Sequence, residues 1–239
     1  MTILITGITG ILGSELKKIL PHSICPTHKD FDVCDIDVVK KLFSNQKIDT
    51  VIHTAALTSV RACEENRNRA MKINVEGTKN LVDEFKNSNP KGKFVYISTA
   101  CVFAGNSGMY IENSIPYPKN FYSLTKLLGE NIVNRFNDSL IIRTNFVGRK
   151  KWPYPKAFTD RFGTYLFSDQ VAKEIKKVLE KNLKGIVHIA GDKKISMFEL
   201  AKITTPNIQS MTIEEYTGPK LTMNMSLDSK ILEKSVLEI

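Results

Sequence analysis

The chain of 239 residues carries 34 Lys and Arg against 25 Asp and Glu, a formal net charge of +9, with 42% hydrophobic and 25% charged residues. That composition excludes a disordered, collagen-like or coiled-coil chain, and no apolar run approaches the roughly 18 residues of a membrane span. The surplus charge favours an anionic partner, a nucleic acid or a small phosphorylated ligand, and leaves the choice to the motifs. Met1–Gly7 has no charged region ahead of its short apolar run, so no secretory leader is expected. Four scattered cysteines (Cys25, Cys34, Cys63, Cys101) have no metal-type pairing and read as reduced thiols of a cytoplasmic protein.

In chain order, near-continuous apolar runs at Thr2–Thr6, Val51–Thr54, Phe94–Ser98, Leu140–Arg143 and Ile186–Ile189 predict strands buried on both faces of a parallel sheet. Between them run three helical stripes: Val75, Thr78, Leu81, Val82 and Phe85; Leu128, Ile132 and Phe136; and Val171, Ile175, Val178 and Leu179. The alternation predicts an α/β fold, a Rossmann-type doubly wound parallel sheet. From the Pro-rich basic loop Lys150–Lys156 the texture changes. Ser196-Met197-Phe198-Glu199 is a capping box that starts a further short helix, and Gly218-Pro219 marks a turn. The expected division is a dinucleotide-binding domain of residues 1–147 with 166–190, and a small C-terminal substrate-binding lobe of residues 148–165 and 191–239.

Gly7-Ile8-Thr9-Gly10-Ile11-Leu12-Gly13 follows the first strand and opens a helix. Glycine permits the tight turn and lets backbone approach a pyrophosphate, which the helix N-terminus attracts with its unpaired N–H groups. The spacing is G-x-x-G-x-x-G rather than G-x-G-x-x-G; the alternative is a glycine turn without a ligand. At the adenosine ribose an acid favours NAD and basic groups accommodate a 2′-phosphate. His28 and Lys29 point to NADPH while Asp30 points to NADH, and Lys29 reads equally as a solvated lysine.

Tyr122 and Lys126 stand four residues apart at the head of a predicted helix, on one helical face. A nearby ammonium lowers a phenol's pKa toward the range useful for acid–base chemistry. Ser98-Thr99 ends the third predicted strand, on the sheet edge where open α/β folds bind ligands. A hydroxyl there can orient a reacting oxygen.

These motifs, in this order, resemble the extended short-chain dehydrogenase/reductases, and within them most the dTDP-4-dehydrorhamnose reductases. The resemblance runs almost end to end, through Phe31-Asp32-Val33, Val51–Val60, Asn74–Thr78, Val95–Thr99, Tyr122–Glu130, Arg143–Phe146, Ile186–Gly191 and Asn224–Lys230. It implies Tyr122 as the catalytic acid, Lys126 as its partner and ribose ligand, and Thr99 as the orienting hydroxyl. It implies a cofactor, NADPH or NADH, held by Gly7, Thr9, Gly10, Ile11, Leu12, Gly13, His28, Lys29, Asp32, Val33, Ala55, Ala56, Leu57, Thr58, Tyr122 and Lys126. Val60, Thr99, Ala100, Cys101, Tyr122, Asn145, Phe146 and Arg161 fall on the substrate side, facing a nucleotide sugar. A homodimer built on the helices around Val75–Asn87 and Tyr122–Phe136 is expected by the same resemblance. Two departures stand out: Ala100-Cys101 replaces the family's Asp-Tyr, and the stretch from Gly148 to Phe167 is short.

Cys101 occupies the place of an epimerisation base in GDP-fucose synthase, although a small buried hydrophobe is the simpler reading. His53 and His188 read as satisfied core residues, and Asn74 as a buried amide serving backbone groups, with a part in a proton relay as its alternative. Trp152 and Arg161 fall in the short segment over the expected cleft; Arg161 faces either a diphosphate or a solvent-exposed carboxylate. The lysines at 173, 176, 177, 181 and 184 read as a solvated helix face. The leading function is reduction of a nucleotide-linked 4-keto-6-deoxy sugar. The alternatives are an epimerase or dehydratase that keeps NAD bound, and a non-catalytic NADP-binding regulatory subunit. No nucleic-acid motif, no membrane segment and no metal site is expected.

Overall fold

The computed structural model describes residues 1–238. In chain order the first part runs β1 (Ile3–Thr6), α1 (Ile11–Ile19), α2 (Ile36–Asn45), β2 (Thr50–His53), α3 (Val60–Glu65), α4 (Arg67–Met71), a π-helical turn (Lys72–Glu76) and α5 (Gly77–Ser88). It continues with β3 (Lys93–Thr99), a 3-10 turn (Ala100–Val102), α6 (Phe121–Val133) and β4 (Ser139–Thr144). These strands, with β9 (Gly185–Ile189) after four short ones introduced below, form one parallel sheet in the order β1-β2-β3-β4-β9. Every residue of β1, β2 and β4 is buried, which is why each reads as an uninterrupted apolar run.

Beyond β1, on the side away from β2, Ile24 makes a single parallel bridge to Leu4; its N–H donates to Ile3 O and its carbonyl accepts from Ile5 N–H. The chain therefore leaves β1 to one side for Ile24 and returns to the other for β2. That reversal opens a crevice at the carboxyl ends of the strands, the switch point where such sheets bind ligands. Helices cover both faces. Leu12 and Leu16 of α1 pack with Val171, Ile175 and Val178 of α7 (Ser168–Glu180) on one side. Val39 and Phe43 of α2, Leu81 and Phe85 of α5 and Val133 of α6 pack on the other. Phe136, read from its spacing as part of the α6 stripe, lies past the helix end and still fills that core.

The remaining elements are short: β5 (Phe146–Val147), β6 (Lys156–Phe158), β7 (Phe162–Gly163), β8 (Leu166–Phe167), β10 (Ile195–Ser196), α8 (Met197–Thr204), β11 (Gln209–Met211) and β12 (Asn224–Met225). They make a sheet β10-β7-β12 and the pairs β11-β6 and β5-β8. Ser196 caps α8 with the predicted box, its hydroxyl accepting from Glu199 N–H while the Glu199 carboxylate accepts from Ser196 N–H. Trp152, Ala157, Tyr165, Leu200, Met225 and Leu227 form a third apolar cluster with Ala100–Phe103.

A strap of residues 222–236 ties these pieces to the sheet. Asn224 N–H donates to Gly105 O, Ser226 Oγ accepts from Met109 N–H, Asp228 N–H donates to Tyr110 O, and Ser229 Oγ donates to Glu112 Oε1. Further along, Ser235 N–H reaches Ala190 O and Gln170 donates to Val236 O. Among the described residues no helix is long and apolar enough to cross a membrane.

Candidate active site

The crevice at the switch point is a cleft of about 510 Å³ whose walls include Gly7, Thr9, Gly10, Ile11, Leu12 and Gly13. Gly7 sits at φ +74°, where an added Cβ would stand 2.6 Å from Ala55 N; at Gly13 a Cβ would stand 2.3 Å from Gly7 O. Both glycines are demanded by the turn itself. Gly10 is different: it has an ordinary extended backbone and a Cβ there meets only Gly7 O, at 3.1 Å. It is also the N-cap of α1, with no side chain capping the helix. The first N–H groups of α1 thus open onto the cleft with no acidic residue in the first turn, a cradle suited to a diphosphate. Asp32, Val33, Ala55, Ala56, Leu57 and Thr58 line the same cleft. The residues present fit a dinucleotide.

The structure places the other expected residues as follows. His28 lines the cleft beside Asp32 (Nδ1 to Oδ1, 3.9 Å), whereas the exposed Lys29 is not among its walls. Phe146, placed by resemblance with the substrate, lies in the cleft wall. Val60 begins α3 outside the cleft, and the Asn145 amide is spent on Met225 O at 2.6 Å. The cleft also takes in Arg69 and Ile73, which sequence reading missed. They lie some forty residues from the adenosine loop, and nothing in their spacing marks them.

Thr99, Tyr122 and Lys126 come together at the carboxyl end of β3 and the head of α6. Asn120 caps α6 by accepting from Ser123 N–H, which puts Tyr122 in the first turn and Lys126 one turn deeper. Thr99 Oγ1 accepts from Cys101 N–H at 3.1 Å and lies close enough to the Tyr122 phenol to lower its pKa. Burial outweighs that help and pushes the phenol well above its ordinary value. Lys126 is not among the charges that move it; the ammonium lies over the Tyr96 ring, 4.0 Å from its centroid. Lys126 itself is pushed down to about 7 by burial, Glu130 acting in the opposite direction.

Asn74, carried by the π-helical turn, accepts from Leu57 N–H at 2.7 Å and donates to Leu57 O and Thr125 Oγ1. It serves backbone, as read from the sequence. His53 bridges Thr6 and Thr78; Thr78 already donates to Asn74 O, so His53 carries its proton on Nε2 and accepts from Thr6 at Nδ1. His188 is buried with Nδ1 donating to Asp228 O and Tyr110 O. Cys101 is 8% exposed with Sγ 3.2 Å from Met225 Sδ. Trp152 is buried in the third cluster rather than over the cleft. Arg161 has no carboxylate partner among the described residues, which removes the salt-bridge reading; Nε donates to Thr222 O and its Nη atoms lie 3.2 and 3.3 Å from Met197 and Met225 Sδ.

A glycine cradle at the switch point, with a strand-end hydroxyl and a Tyr/Lys helix beside it, defines the extended short-chain dehydrogenase/reductase class. Within that class, the model of the RmlD substrate binding domain matches residues 1–221, and the chain belongs to this family. A hypothetical dTDP-4-dehydrorhamnose reductase from Sulfolobus tokodaii superposes with a TM-score of 0.88 at 32% identity, covering 100% of this chain and 97% of that one. A dTDP-4-dehydrorhamnose reductase from Bacillus anthracis, solved with NADP, superposes at 0.86 with 25% identity, covering 95% and 90%. The β subunit of methionine adenosyltransferase 2 from Xenopus laevis is 28% identical over 97% of this chain and 81% of its own length. The spore coat polysaccharide biosynthesis protein SpsK of Bacillus subtilis is 28% identical over 90% and 84%.

Proposed function

We propose that the protein is an NADPH-dependent reductase of a nucleotide-linked 4-keto-6-deoxy sugar, of the dTDP-4-dehydrorhamnose reductase type, acting in polysaccharide precursor synthesis as a cytoplasmic homodimer. The observation that carries this reading is the convergence of Thr99, Tyr122 and Lys126 beside a cleft whose glycine cradle fits a dinucleotide. When bound, the cofactor supplies the hydride that reduces the ketone. The chain's own groups do the rest. The N–H groups of the Gly7–Gly13 turn hold the diphosphate, and Asp32 and Val33 hold the adenosine. Tyr122 delivers its proton to the C4 oxygen, Thr99 orients that oxygen, and Lys126 holds the nicotinamide ribose. Burial keeps the Tyr122 phenol protonated in the ligand-free protein, so the proton to be donated is in place. Residues 148–165 and 191–239 form the lobe that receives the sugar, with Cys101 and the carboxylate-free Arg161 on that side.

The test is NADPH consumption with a panel of nucleotide 4-keto sugars, in wild type and Tyr122→Phe. Loss of the phenolic oxygen should lower turnover by about 10²–10⁴ with cofactor binding retained. Near-native reduction by Tyr122→Phe removes the assignment. A second reading, a non-catalytic regulatory subunit, draws on the likeness to the methionine adenosyltransferase β subunit. Tight NADPH binding with no turnover on any keto sugar would favour it.

A further inference from the structure

Lys126 is 3% exposed, and a buried ammonium is costly unless a carboxylate or several hydrogen bonds compensate it. Glu130, one turn along α6, favours the ammonium from a distance but makes no ion pair with it. Its Oε1 accepts from Arg143 Nε at 3.0 Å and from the Ser98 hydroxyl, and its Oε2 accepts from Arg143 Nη2 at 2.7 Å. Among the described residues no carboxylate lies within ion-pair distance of Lys126 Nζ; the buried pair is Glu130 with Arg143. His53, facing from β2, is neutral, its pKa driven down to about 3 by burial and by the Lys126 charge. Tyr122 on the same helix is an un-ionised phenol. What remains is the face of Tyr96 on β3, 4.0 Å from Nζ to ring centroid.

That ring is held firmly. Tyr96 is fully buried; a Cβ at Gly129 of α6 would stand 2.1 Å from its phenolic oxygen, so the helix rests directly on it. The His53 ring packs beside it with centroids 5.7 Å apart. Its phenolic oxygen faces the Thr78 hydroxyl, which donates to Asn74 O and accepts from His53. The hydroxyl faces Thr78, and the ring face meets Lys126.

We propose that Tyr96 is a positioning residue of the reductase site: its ring face, fixed by Gly129 and His53, seats the Lys126 ammonium at the head of α6. This rests on the reading of Lys126 as the ribose-holding lysine. A ring's quadrupole attracts a cation, and more strongly where water is excluded. The ring supplies a direct contact with the ammonium, which the neighbouring carboxylate, paired with Arg143, does not make.

The test reads Lys126 directly, in protein labelled with ¹³C-lysine and free of ligand, its resonance assigned by its loss in Lys126→Met. Tyr96→Phe keeps the ring and should titrate with wild type. Tyr96→Leu removes it and should titrate about one pH unit lower, with a several-fold rise in the Kd for NADPH measured by calorimetry at neutral pH. An unchanged titration in Tyr96→Leu overturns the proposal, as does a Tyr96→Phe protein that behaves like Tyr96→Leu. Should Tyr96→Leu fail to fold, 3,4,5-trifluorophenylalanine at position 96 preserves the shape, weakens the ring face, and is judged by the same outcomes. Undiminished reductase turnover in Lys126→Met would instead refute the reading of the site, and the titration would still decide the contact.

Discussion

Gly10 is the glycine of the turn that the protein could spare and a ligand could not. Gly7 and Gly13 are fixed by their own surroundings, whereas a methyl at Gly10 meets one carbonyl oxygen at 3.1 Å and otherwise points to open cleft. Gly10→Ala is expected to fold with a near-native Tm and to lose at least about tenfold in NADPH affinity by calorimetry, because backbone must approach the diphosphate closely. Gly7→Ala, strained at φ +74°, should lose stability as well. Two cations make a contrast around the cleft. Lys29 stands outside the cleft and Arg69 in its wall, free of any carboxylate among the described residues. Arg69→Ala should weaken NADPH more than NADH, and Lys29→Ala should move neither; equal loss of both cofactors in Arg69→Ala would place the 2′-phosphate elsewhere.

At the scale of elements, the π-helical turn Lys72–Glu76 turns Asn74 toward the loop after β2, where it satisfies both backbone groups of Leu57. Asn74→Ala leaves Leu57 N–H unpaired and Leu57 O with only the Cys63 thiol, which should cost about 1–3 kcal/mol in urea denaturation and loosen the cleft wall at Ala55–Thr58. The sequence announced the strands because burial on both faces leaves an apolar run in each. It was silent on the π turn, since one extra residue per turn shifts a stripe without erasing it; Val75 through Phe85 read as a single helix. The Ile24 bridge was equally hidden, being one residue wide. The two- and three-residue strands between Phe146 and Met225 are too short to show a period. At the site, Thr99, Tyr122 and Lys126 were readable from order and spacing. The wall contributed by Arg69, and the company Lys126 keeps with Tyr96, depend on folding that brings distant segments together.

For the molecule as a whole, stability should fall with acid. His53 is held neutral to about pH 3, against an ordinary value of 6.5. Below pH 6.5 the unfolded chain takes up a proton that the folded chain refuses, so stability present above pH 6.5 is lost as pH drops. Between pH 6.5 and 5 the loss from this one residue is about 2 kcal/mol, and His188, lowered by burial, adds in the same direction. Urea melts at pH 5 and 7 should show it, and His53→Gln should flatten the difference. The strap has a further consequence, in time rather than energy. The loop from Gly105 to Glu112 finds its partners in Asn224, Ser226 and Ser229, 117 to 119 positions later in the chain. At synthesis rates of about 5–20 residues per second, that loop waits roughly 6–25 s for them. Through that interval a nascent chain can complete β1 to β4 while the ground beside Cys101 stays open, so the nucleotide half of the cleft is ready for its ligand before the sugar half exists.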